Sequence, residues 1–357
     1  MKIFFVIKSL HTAGGTERAT QVIANELAAR NYEVGIISLV NEGKPFFNFS
    51  SVIQIHYLYN KKDKRPSLIR DISRRIKLKN LYKTEKPDII IFVGSGRSFL
   101  NIPAARGITN ITWEHFNTTV NWHLLHPLSR KLAALYCDKI VTLTNQDAEN
   151  YKNKFGAKNT LCIPNPVTID SSHKSTLTEK RVLAIGRLVK QKGFDMLLDA
   201  WTKVENRNSG WKLRIIGSGP MLALLLDKIK LYNLEDSIEL IPSTDNVIAH
   251  YQASSIYVMS SRHEGLPLVL IEAMAMGLPI ISFDCETGPR DIIIDNLTGR
   301  LIQPFDIVKL AKEMDELMID ELRRKMFSEN AIKRAENYDI KEIGDKWEVL
   351  FKELKSS

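Results

Sequence analysis

Short apolar runs rich in β-branched residues alternate with helix-like segments along the whole chain. Strands that are apolar on both faces and separated by helices form parallel sheets covered by helices on both sides. The alternation therefore predicts an α/β fold built from doubly wound sheets. The predicted strands are residues 3–9, 34–40, 53–58, 89–94, 111–113 and 140–144 in the first half, and residues 181–186, 213–217, 238–241, 256–259 and 280–283 in the second. The clearest helical segments of the first half are residues 16–30 and 128–136.

A break near residue 165 separates the two groups of strands. Pro164 and Pro166 are followed by residues 168–178, which are polar and have neither helical nor strand periodicity, as a linker would. With 357 residues the chain is long for one domain and sufficient for two. We predict a first domain over residues 1–168, a second over residues 169–338, and a C-terminal segment over residues 339–357 that contains an amphipathic helix at 341–354.

The composition is typical of a soluble globular protein, with 44% hydrophobic and 25% charged residues. No apolar run approaches the roughly 18 to 20 residues of a membrane span, and the first apolar run is too short for a signal peptide. Cys137, Cys162 and Cys285 are widely spaced and odd in number, which disfavours a disulfide framework or a structural zinc site. These features predict a protein of the reducing cytoplasm.

Positive charge is concentrated in residues 61–83, which hold ten basic and two acidic residues and carry most of the net charge of +9. Apolar residues recur through this segment at approximately helical spacing, namely Leu68, Ile69, Ile72, Ile76 and Leu81. One interpretation is a basic amphipathic helix that binds an anionic membrane surface or a lipid pyrophosphate. The other is a solvated helix whose apolar side packs on the sheet. Nucleic acid is disfavoured as a partner, because the segment has few aromatic residues and no known binding motif.

Several polar and glycine-rich segments directly follow predicted strands. Gly14 and Gly15 follow the first strand, where Thr16 is expected to cap a helix. Arg187, the segment from Gly217 to Gly219, and residues 260–264 follow strands of the second half. Because ligands of open α/β sheets bind beyond the carboxyl ends of the strands, we expect these residues to face one cleft between the two domains.

Two glutamates, Glu264 and Glu272, flank the predicted start of a helix at residues 264–273. Pro267 suits the first helical position, because proline lacks the N–H that would be unpaired there. The free N–H groups of a helix start, together with the helix dipole, form an anion site. Carboxylates on both sides of a phosphate site indicate a ligand that carries phosphate and hydroxyl groups, as nucleotide sugars do.

These segments together resemble the retaining family-four glycosyltransferases, whose signature is a pair of glutamates separated by seven residues. The resemblance covers roughly residues 1 to 300. Further motifs lie in the order of that family: Gly14-Gly15-Thr16-Glu17, Glu114-His115, the segment from Gly186 to Gly193, Gly217-Ser218-Gly219-Pro220 and Gly288-Pro289-Arg290-Asp291. The sequence departs from the family at residues 241–246, where most members have a glycine near the base-binding loop.

The resemblance implies the GT-B fold, with two Rossmann-like domains facing a cleft and a C-terminal helix that crosses back to the first domain. It implies that Arg187 and Lys192 bind the donor diphosphate, Glu264 the donor sugar and Glu272 the ribose, with His115 near the sugar's 6-position. The implied catalytic residues are Glu264, His115, Arg187 and Lys192. The implied donor-binding residues are Gly14, Gly15, Arg187, Lys192, Gly217, Gly219, Glu264, Gly265, Leu266, Pro267, Leu268, Val269 and Glu272.

Structural interpretations of the same residues stay open at this point. Glu272 is also compatible with a buried ion pair to an arginine, and Glu264 with a simple helix cap. Arg187 and Lys192 are compatible with ordinary surface charges, and His115 with a core histidine whose hydrogen bonds are satisfied.

The function that the resemblance implies is transfer of a hexose or N-acetylhexosamine from a UDP-sugar, with retention and without a metal or other cofactor. The implied acceptor is a polyprenyl-pyrophosphate-linked oligosaccharide of O-antigen, capsule or exopolysaccharide assembly, on the cytoplasmic face of the membrane. Two alternatives are a UDP-sugar epimerase of the same architecture and a non-catalytic membrane-surface binding protein. A nicotinamide dehydrogenase is disfavoured, because Gly14-Gly15 does not extend into Gly-x-Gly-x-x-Gly.

Overall fold

A computed structural model of the chain describes residues 1–60, 67–96, 101–120 and 125–356. The chain divides into two units. Unit 1 is Met1–Pro166 together with Ile340–Ser357, and unit 2 is Val167–Asp339. Each unit contains its own parallel sheet, so the predicted α/β class with two doubly wound domains is confirmed.

In unit 1 the described strands form a parallel sheet in the order β3-β2-β1-β4-β5-β6-β7. The strands are β1 (Lys2–Ile7), β2 (Glu33–Ser38), β3 (Gln54–Tyr57), β4 (Ile89–Val93), β5 (Thr109–Glu114), β6 (Lys139–Thr142) and β7 (Thr160–Cys162), and the helices between them include α1 (Gly15–Ala29), α2 (Ser67–Glu85), α3 (His126–Tyr136) and α4 (Asn145–Phe155). Ile90 and Phe92 of β4 are buried together with Ala133 of α3 in one apolar core, which is why these runs form inner strands.

In unit 2 the described strands form a second parallel sheet in the order β10-β9-β8-β11-β12-β13. The strands are β8 (Arg181–Ile185), β9 (Lys212–Ile216), β10 (Ile238–Ile241), β11 (Ile256–Met259), β12 (Ile280–Phe283) and β13 (Gly299–Ile302). The helices are α5 (Phe194–Trp201), α6 (Leu222–Leu231), α7 (Val247–Gln252), α8 (Leu268–Ala275), α9 (Pro289–Ile292), α10 (Ile307–Ile319) and α11 (Glu321–Ala335). The strand order reverses between β8 and β11, and such a reversal opens a ligand crevice at the carboxyl ends of the two strands.

Two predictions about helix starts are wrong by one or two residues. Helix α1 begins at Gly15, and its N-cap is Gly14, whose backbone is extended, so Thr16 lies inside the helix and does not cap it. Helix α8 begins at Leu268, and Pro267 is its N-cap and not its first helical residue. The predicted linker, residues 168–178, is irregular but not free, because the Ser175 N–H donates to the carbonyl of Met276 at 3.0 Å.

The chain ends in helix α12 (Ile340–Ser356), which belongs to unit 1, as the GT-B resemblance implies. Trp347 of α12 is fully buried and packs edge-on against Trp113 of β5, with ring centroids 5.2 Å apart. Arg30, which follows α1, donates hydrogen bonds to Glu348 at 3.0 Å and to the carbonyl of Lys341 at 2.7 Å. The helix is therefore held by an apolar contact and by a charged one.

Replacing Arg30 by alanine is expected to lower the free energy of unfolding by about 2 kcal/mol, because the change removes charge-assisted hydrogen bonds to α12. A urea titration followed by circular dichroism measures the loss. Arg106 is exposed and serves as the control, since its replacement should change the free energy by less than about 0.5 kcal/mol. Equal midpoints for both variants would show that Arg30 does not hold α12.

None of the described helices combines the length and the apolar composition of a membrane span.

Candidate active site

The loops that follow β8 and β9 run side by side beyond the ends of their strands. Leu188 donates its N–H to the carbonyl of Ser218 at 2.9 Å, and Met221 donates to the carbonyl of Leu188 at 3.0 Å. A Cβ atom at Gly217 would lie 1.9 Å from the carbonyl oxygen of Gly186. A Cβ atom at Gly219 would lie 2.5 Å from that of Leu188. Both glycines are therefore required by the packing of the two loops.

The loop after β8 brings Lys192 to the loop after β11. The Lys192 ammonium lies 2.7 Å from a carboxylate oxygen of Glu264, whose side chain is 8% exposed. Ser260 fixes the backbone that carries Lys192, because its hydroxyl donates to the carbonyls of Lys192 at 3.1 Å and Gly193 at 3.0 Å. The structure thus brings together a predicted diphosphate ligand and a predicted sugar ligand.

Arg262 and Gln191 clamp the same two loops together. The Arg262 guanidinium forms a bidentate pair with Asp195 at 2.7 and 2.8 Å and donates to the carbonyl of Lys190 at 2.6 Å. The Gln191 amide donates to the carbonyl of His263 at 2.9 Å. Sequence reasoning missed this clamp. The only signal for it was that Arg262 lies two residues before Glu264.

The segment between Glu264 and α8 is held by the loop after β12. The Thr287 hydroxyl donates to the carbonyl of Glu264 at 2.6 Å. Gly288 has a φ of +97° and packs so closely that a Cβ atom would lie 2.2 Å from the carbonyl oxygen of Gly265. Gly265, Leu266 and Pro267 therefore form a fixed turn that leads into Leu268 and Val269, the first residues of α8.

Glu272 lies in the middle of α8 and is half-buried. Its two carboxylate oxygens accept hydrogen bonds from the hydroxyls of Tyr251, at 3.0 Å, and Thr168, at 2.5 Å. Burial, and next the charge of Glu272, raise the pKa of Tyr251 well above its ordinary value, so its hydroxyl remains a donor. Among the described residues Glu272 has no arginine partner, which disfavours the buried ion pair.

Arg187 lies two residues after the end of β8 and is exposed. Within the described part of the chain its guanidinium forms no hydrogen bond or ion pair. Its donors are therefore available to a ligand, with the planar fork that suits phosphate oxygens.

In unit 1, His115 directly follows β5 and is buried against the ring of Trp113, with centroids 4.2 Å apart. Burial lowers the pKa of His115 to about 4, so the ring is neutral near pH 7. Its Nε2 atom has no hydrogen-bond partner among the described residues. A core histidine with satisfied hydrogen bonds is thus disfavoured.

Gly14 is the N-cap of α1 and Gly15 is its first residue, whereas the prediction placed both glycines before the helix. The carboxylate of Glu17 folds back over them, because a Cβ atom at Gly14 would lie 2.2 Å from one of its oxygens. The other carboxylate oxygen accepts from the hydroxyl of Thr12 at 2.7 Å. The start of α1, whose Gly14 and Gly15 the resemblance assigns to donor binding, therefore has the carboxylate of Glu17, from its own first turn, beside Gly14.

No group of three or more His, Cys, Asp or Glu side chains with the spacing of a metal site occurs among the residues that the structure describes.

Residues 13–171 match the family described as Glycosyltransferase Family 4, and residues 168–334 match Glycosyl transferases group 1. An uncharacterised glycosyltransferase of Haemophilus influenzae is 37% identical over 98% of this chain and 99% of its own length. The amylovoran biosynthesis glycosyltransferase AmsD of Erwinia amylovora is 30% identical over 97% and 98%. A Campylobacter jejuni α-1,4-N-acetyl-D-galactosaminyltransferase, named for an undecaprenol-diphosphate-linked substrate, is 29% identical over the whole of both chains.

Solved structures support the fold. Sucrose-phosphate synthase of Thermosynechococcus elongatus superposes with a TM-score of 0.86 at 17% identity over all of both chains. The pneumococcal O-GlcNAc transferase GtfA, solved with UDP and GlcNAc, gives 0.83 at 18% identity over 100% of this chain and 99% of its own. The GT-B fold implied by the motifs is confirmed.

Proposed function

This chain belongs to the glycosyltransferases of group 1 and family 4, and we propose that it moves a hexose or N-acetylhexosamine from a UDP-sugar to a lipid-linked oligosaccharide. The reaction proceeds with retention, needs no metal, and serves bacterial surface polysaccharide assembly. The names of the Erwinia amylovora and Campylobacter jejuni relatives support the role in polysaccharide assembly and the lipid-linked acceptor. Polyprenyl pyrophosphate is the acceptor's lipid carrier, and the enzyme works on the cytoplasmic face of the membrane.

The contact between Lys192 and Glu264 carries this proposal. It lies where the strand order of unit 2 reverses, and it combines a cation with an acid 2.7 Å apart. A sugar diphosphate needs a cation at its phosphates and an acceptor of hydroxyl hydrogen bonds at its sugar. Lys192 and Glu264 supply the two in adjacent positions, and the exposed guanidinium of Arg187 adds a second cation.

During transfer the bond between the anomeric carbon and the diphosphate oxygen breaks, and negative charge grows on the diphosphate. Arg187 and Lys192 stabilise that charge, which is the largest electrostatic change in the reaction. The acceptor oxygen bonds to the anomeric carbon on the face that the diphosphate leaves, and its proton passes to the departing phosphate oxygen. The products are UDP and the lengthened glycan.

Glu264 binds sugar hydroxyls in this mechanism and is not the nucleophile. Its carboxylate is already engaged by Lys192, and its carbonyl is fixed by Thr287. A carboxylate paired with a cation is a weaker nucleophile, because attack requires the loss of that pairing.

A donor panel tests the proposed function. Purified protein is incubated with UDP-glucose, UDP-galactose, their N-acetylamino forms and GDP-mannose, with and without EDTA. Slow release of UDP that EDTA leaves unchanged is expected. Release only with added metal would contradict the metal-independent mechanism, and conversion to an epimeric UDP-sugar without release of UDP would favour the epimerase.

Glu272 is expected to recognise the ribose, because its half-buried carboxylate already accepts bonds from two hydroxyls. Glu272→Ala should weaken UDP binding by about 10- to 100-fold. This is the affinity expected to be lost with one or two hydrogen bonds to a charged group. Isothermal titration with UDP and with 2′-deoxy-UDP measures it. The wild type should prefer UDP, and the variant should not. An unchanged preference would place the ribose elsewhere.

The exposed face of α2 supports membrane attachment. Residues 61–66 lie outside the described residues, but Ile72 and Ile76 are each 56% exposed. Leu78, Leu81 and Tyr82 pack against the core of unit 1, as the solvated-helix interpretation expects, but Ile72 and Ile76 take no part in that packing. The exposed face therefore combines isoleucines with basic residues, as interfacial helices do.

Reversing two charges on this face should weaken binding to vesicles. Lys79→Glu with Lys83→Glu is expected to lower affinity for vesicles rich in phosphatidylserine by at least about 30-fold, at about 1 kcal/mol per basic residue removed. Lys152→Glu with Lys154→Glu, on α4, changes the net charge equally and is the control, since both residues are exposed. A co-sedimentation assay in which both pairs lose affinity equally would contradict attachment through α2.

A further inference from the structure

A buried polar network underlies the end of β5 and the loop after it in unit 1, residues 114–120. Glu114 and Arg130 are 2% and 0% exposed, and the Arg130 guanidinium donates to the Glu114 carboxylate at 3.3 Å. The same carboxylate accepts from the hydroxyls of Tyr151, at 2.8 Å, and Ser95. Its other oxygen accepts the N–H of Phe116 at 3.2 Å. Every oxygen of this buried acid is thus engaged.

The Arg130 side chain also binds the backbone of the loop. Its guanidinium donates to the carbonyls of Thr118 at 2.8 Å and Asn117 at 3.0 Å, and more weakly to Val120 at 3.4 Å. Five donors in a rigid fork allow one arginine to bond several carbonyls at once, which a lysine cannot reproduce. Among the described residues the loop's own backbone contributes the Val120 N–H to Asn117 carbonyl bond at 3.3 Å, and the bonds from Arg130 hold the same carbonyl and its neighbours.

Asp147 completes the network from the first turn of α4. It accepts the N–H and the hydroxyl of Thr118 at 2.9 and 2.7 Å and the hydroxyl of Thr144 at 2.8 Å. Burial raises the pKa of Asp147 in spite of these hydrogen bonds. Burial also acts to raise the pKa of Glu114, but the charge of Arg130 and the hydrogen bonds outweigh it and lower that pKa.

A buried ion pair is costly, since desolvation of two charges offsets much of their attraction. Apolar residues of the same volume would often serve stability as well or better. The network lies at the carboxyl ends of β4, β5 and β6, the edge of the sheet where ligands bind, and not in the middle of the core. Arg130, Asp147, Tyr151 and Ser95 all bond to residues 114–120, the segment that carries His115 and the exposed ring of Phe116.

We propose that Arg130 and Glu114 are positioning residues for the reaction, which fix the backbone of residues 114–120 and with it the orientation of the His115 and Phe116 side chains. The inference rests on the proposed function and adds to it. A displacement of catalytic groups by about 1 Å can cost about 100-fold in turnover. The network would supply that precision to a loop that lacks regular structure.

Arg130→Lys and Tyr151→Phe test the proposal. Arg130→Lys keeps the charge and removes the fork, and Tyr151→Phe removes one hydroxyl that donates to Glu114. Arg324→Lys is the matched control, because Arg324 is also buried and donates to two carbonyls, at 2.6 and 3.0 Å, in helix α10 of unit 2. Release of UDP from the four UDP-sugars of the panel gives the turnover, and titration with UDP gives the nucleotide affinity.

Arg130→Lys is expected to lower turnover by about 10- to 100-fold, and Tyr151→Phe is expected to lower it several-fold. Both variants should bind UDP within about twofold of the wild-type affinity, because the nucleotide is assigned to unit 2. Arg324→Lys should leave turnover within about threefold at an equal shift in melting temperature. If Arg130→Lys does not fold, Tyr151→Phe decides, and wild-type turnover in it overturns the proposal. Equal loss of turnover in the control overturns it as well. The wild-type turnover tests the proposed function, and the ratio of variant to wild-type turnover tests the positioning role. The failure of one proposal can therefore be told from the failure of the other.

Discussion

Replacing Lys192 by alanine is expected to lower turnover by about 100- to 1,000-fold, which corresponds to about 2.7–4 kcal/mol of transition-state stabilisation. The ammonium is held within hydrogen-bond distance of Glu264, in a loop that Arg262 and Ser260 fix on both sides. A preorganised cation stabilises the diphosphate most in the transition state, where the negative charge of the diphosphate grows. The loss in turnover should therefore exceed the loss in substrate affinity. Steady-state release of UDP from the preferred UDP-sugar measures kcat and KM.

Lys190 provides the matched control for this variant. It lies two residues away in the same short 3₁₀ helix, Lys190–Lys192, but is exposed. Lys190→Ala should keep kcat within about twofold, since an exposed charge away from the ligand contributes little. If Lys190→Ala and Lys192→Ala lose turnover equally, the loss comes from the overall positive charge of the loop and not from a contact between Lys192 and the diphosphate.

Replacing Glu264 by glutamine is expected to lower turnover by about 100-fold, while UDP should bind with nearly wild-type affinity. The amide keeps the volume and removes the charge that accepts sugar hydroxyls. It also leaves Lys192, 16% exposed, without its carboxylate partner. Titration with UDP and with the intact UDP-sugar separates the two parts of the ligand. Loss of UDP affinity alone would place Glu264 at the nucleotide, and full turnover in the variant would remove it from the reaction.

Lys192 and Glu264 should also depend on each other. Contacting charged residues show non-additive effects of about 0.5–3 kcal/mol, whereas residues without shared partners are additive. The double variant is therefore expected to lose less turnover than the product of the two single losses.

The strands that form the centres of both sheets were predictable from sequence, because they are buried on both faces and consist of unbroken apolar runs. Strand β7 was missed because it has only three residues and lies directly before the break at Pro164 and Pro166. Strand β13 was missed for a related reason, since Gly299 and Arg300 interrupt its apolar pattern. Helix α2 shows the limit of periodicity, because the pattern identified a helix but not which apolar residues pack.

The loops of the candidate site were predictable because the carboxyl ends of parallel strands lie at one edge of a sheet. Their side-chain partners were not. Glu272 meets Thr168, which is 104 residues away in sequence, and only the folded chain brings them together. The sequence could not show why Gly217 and Gly219 must be glycine. In the structure a side chain at either position would collide with the neighbouring loop. That both units contribute to one ligand stays a prediction.

A crystal structure of the protein with UDP tests the central claim most directly. We expect the β-phosphate to lie within about 3 Å of the Lys192 ammonium and the Arg187 guanidinium, with the ribose hydroxyls on the Glu272 carboxylate. UDP bound to a surface that includes none of these three side chains would contradict it.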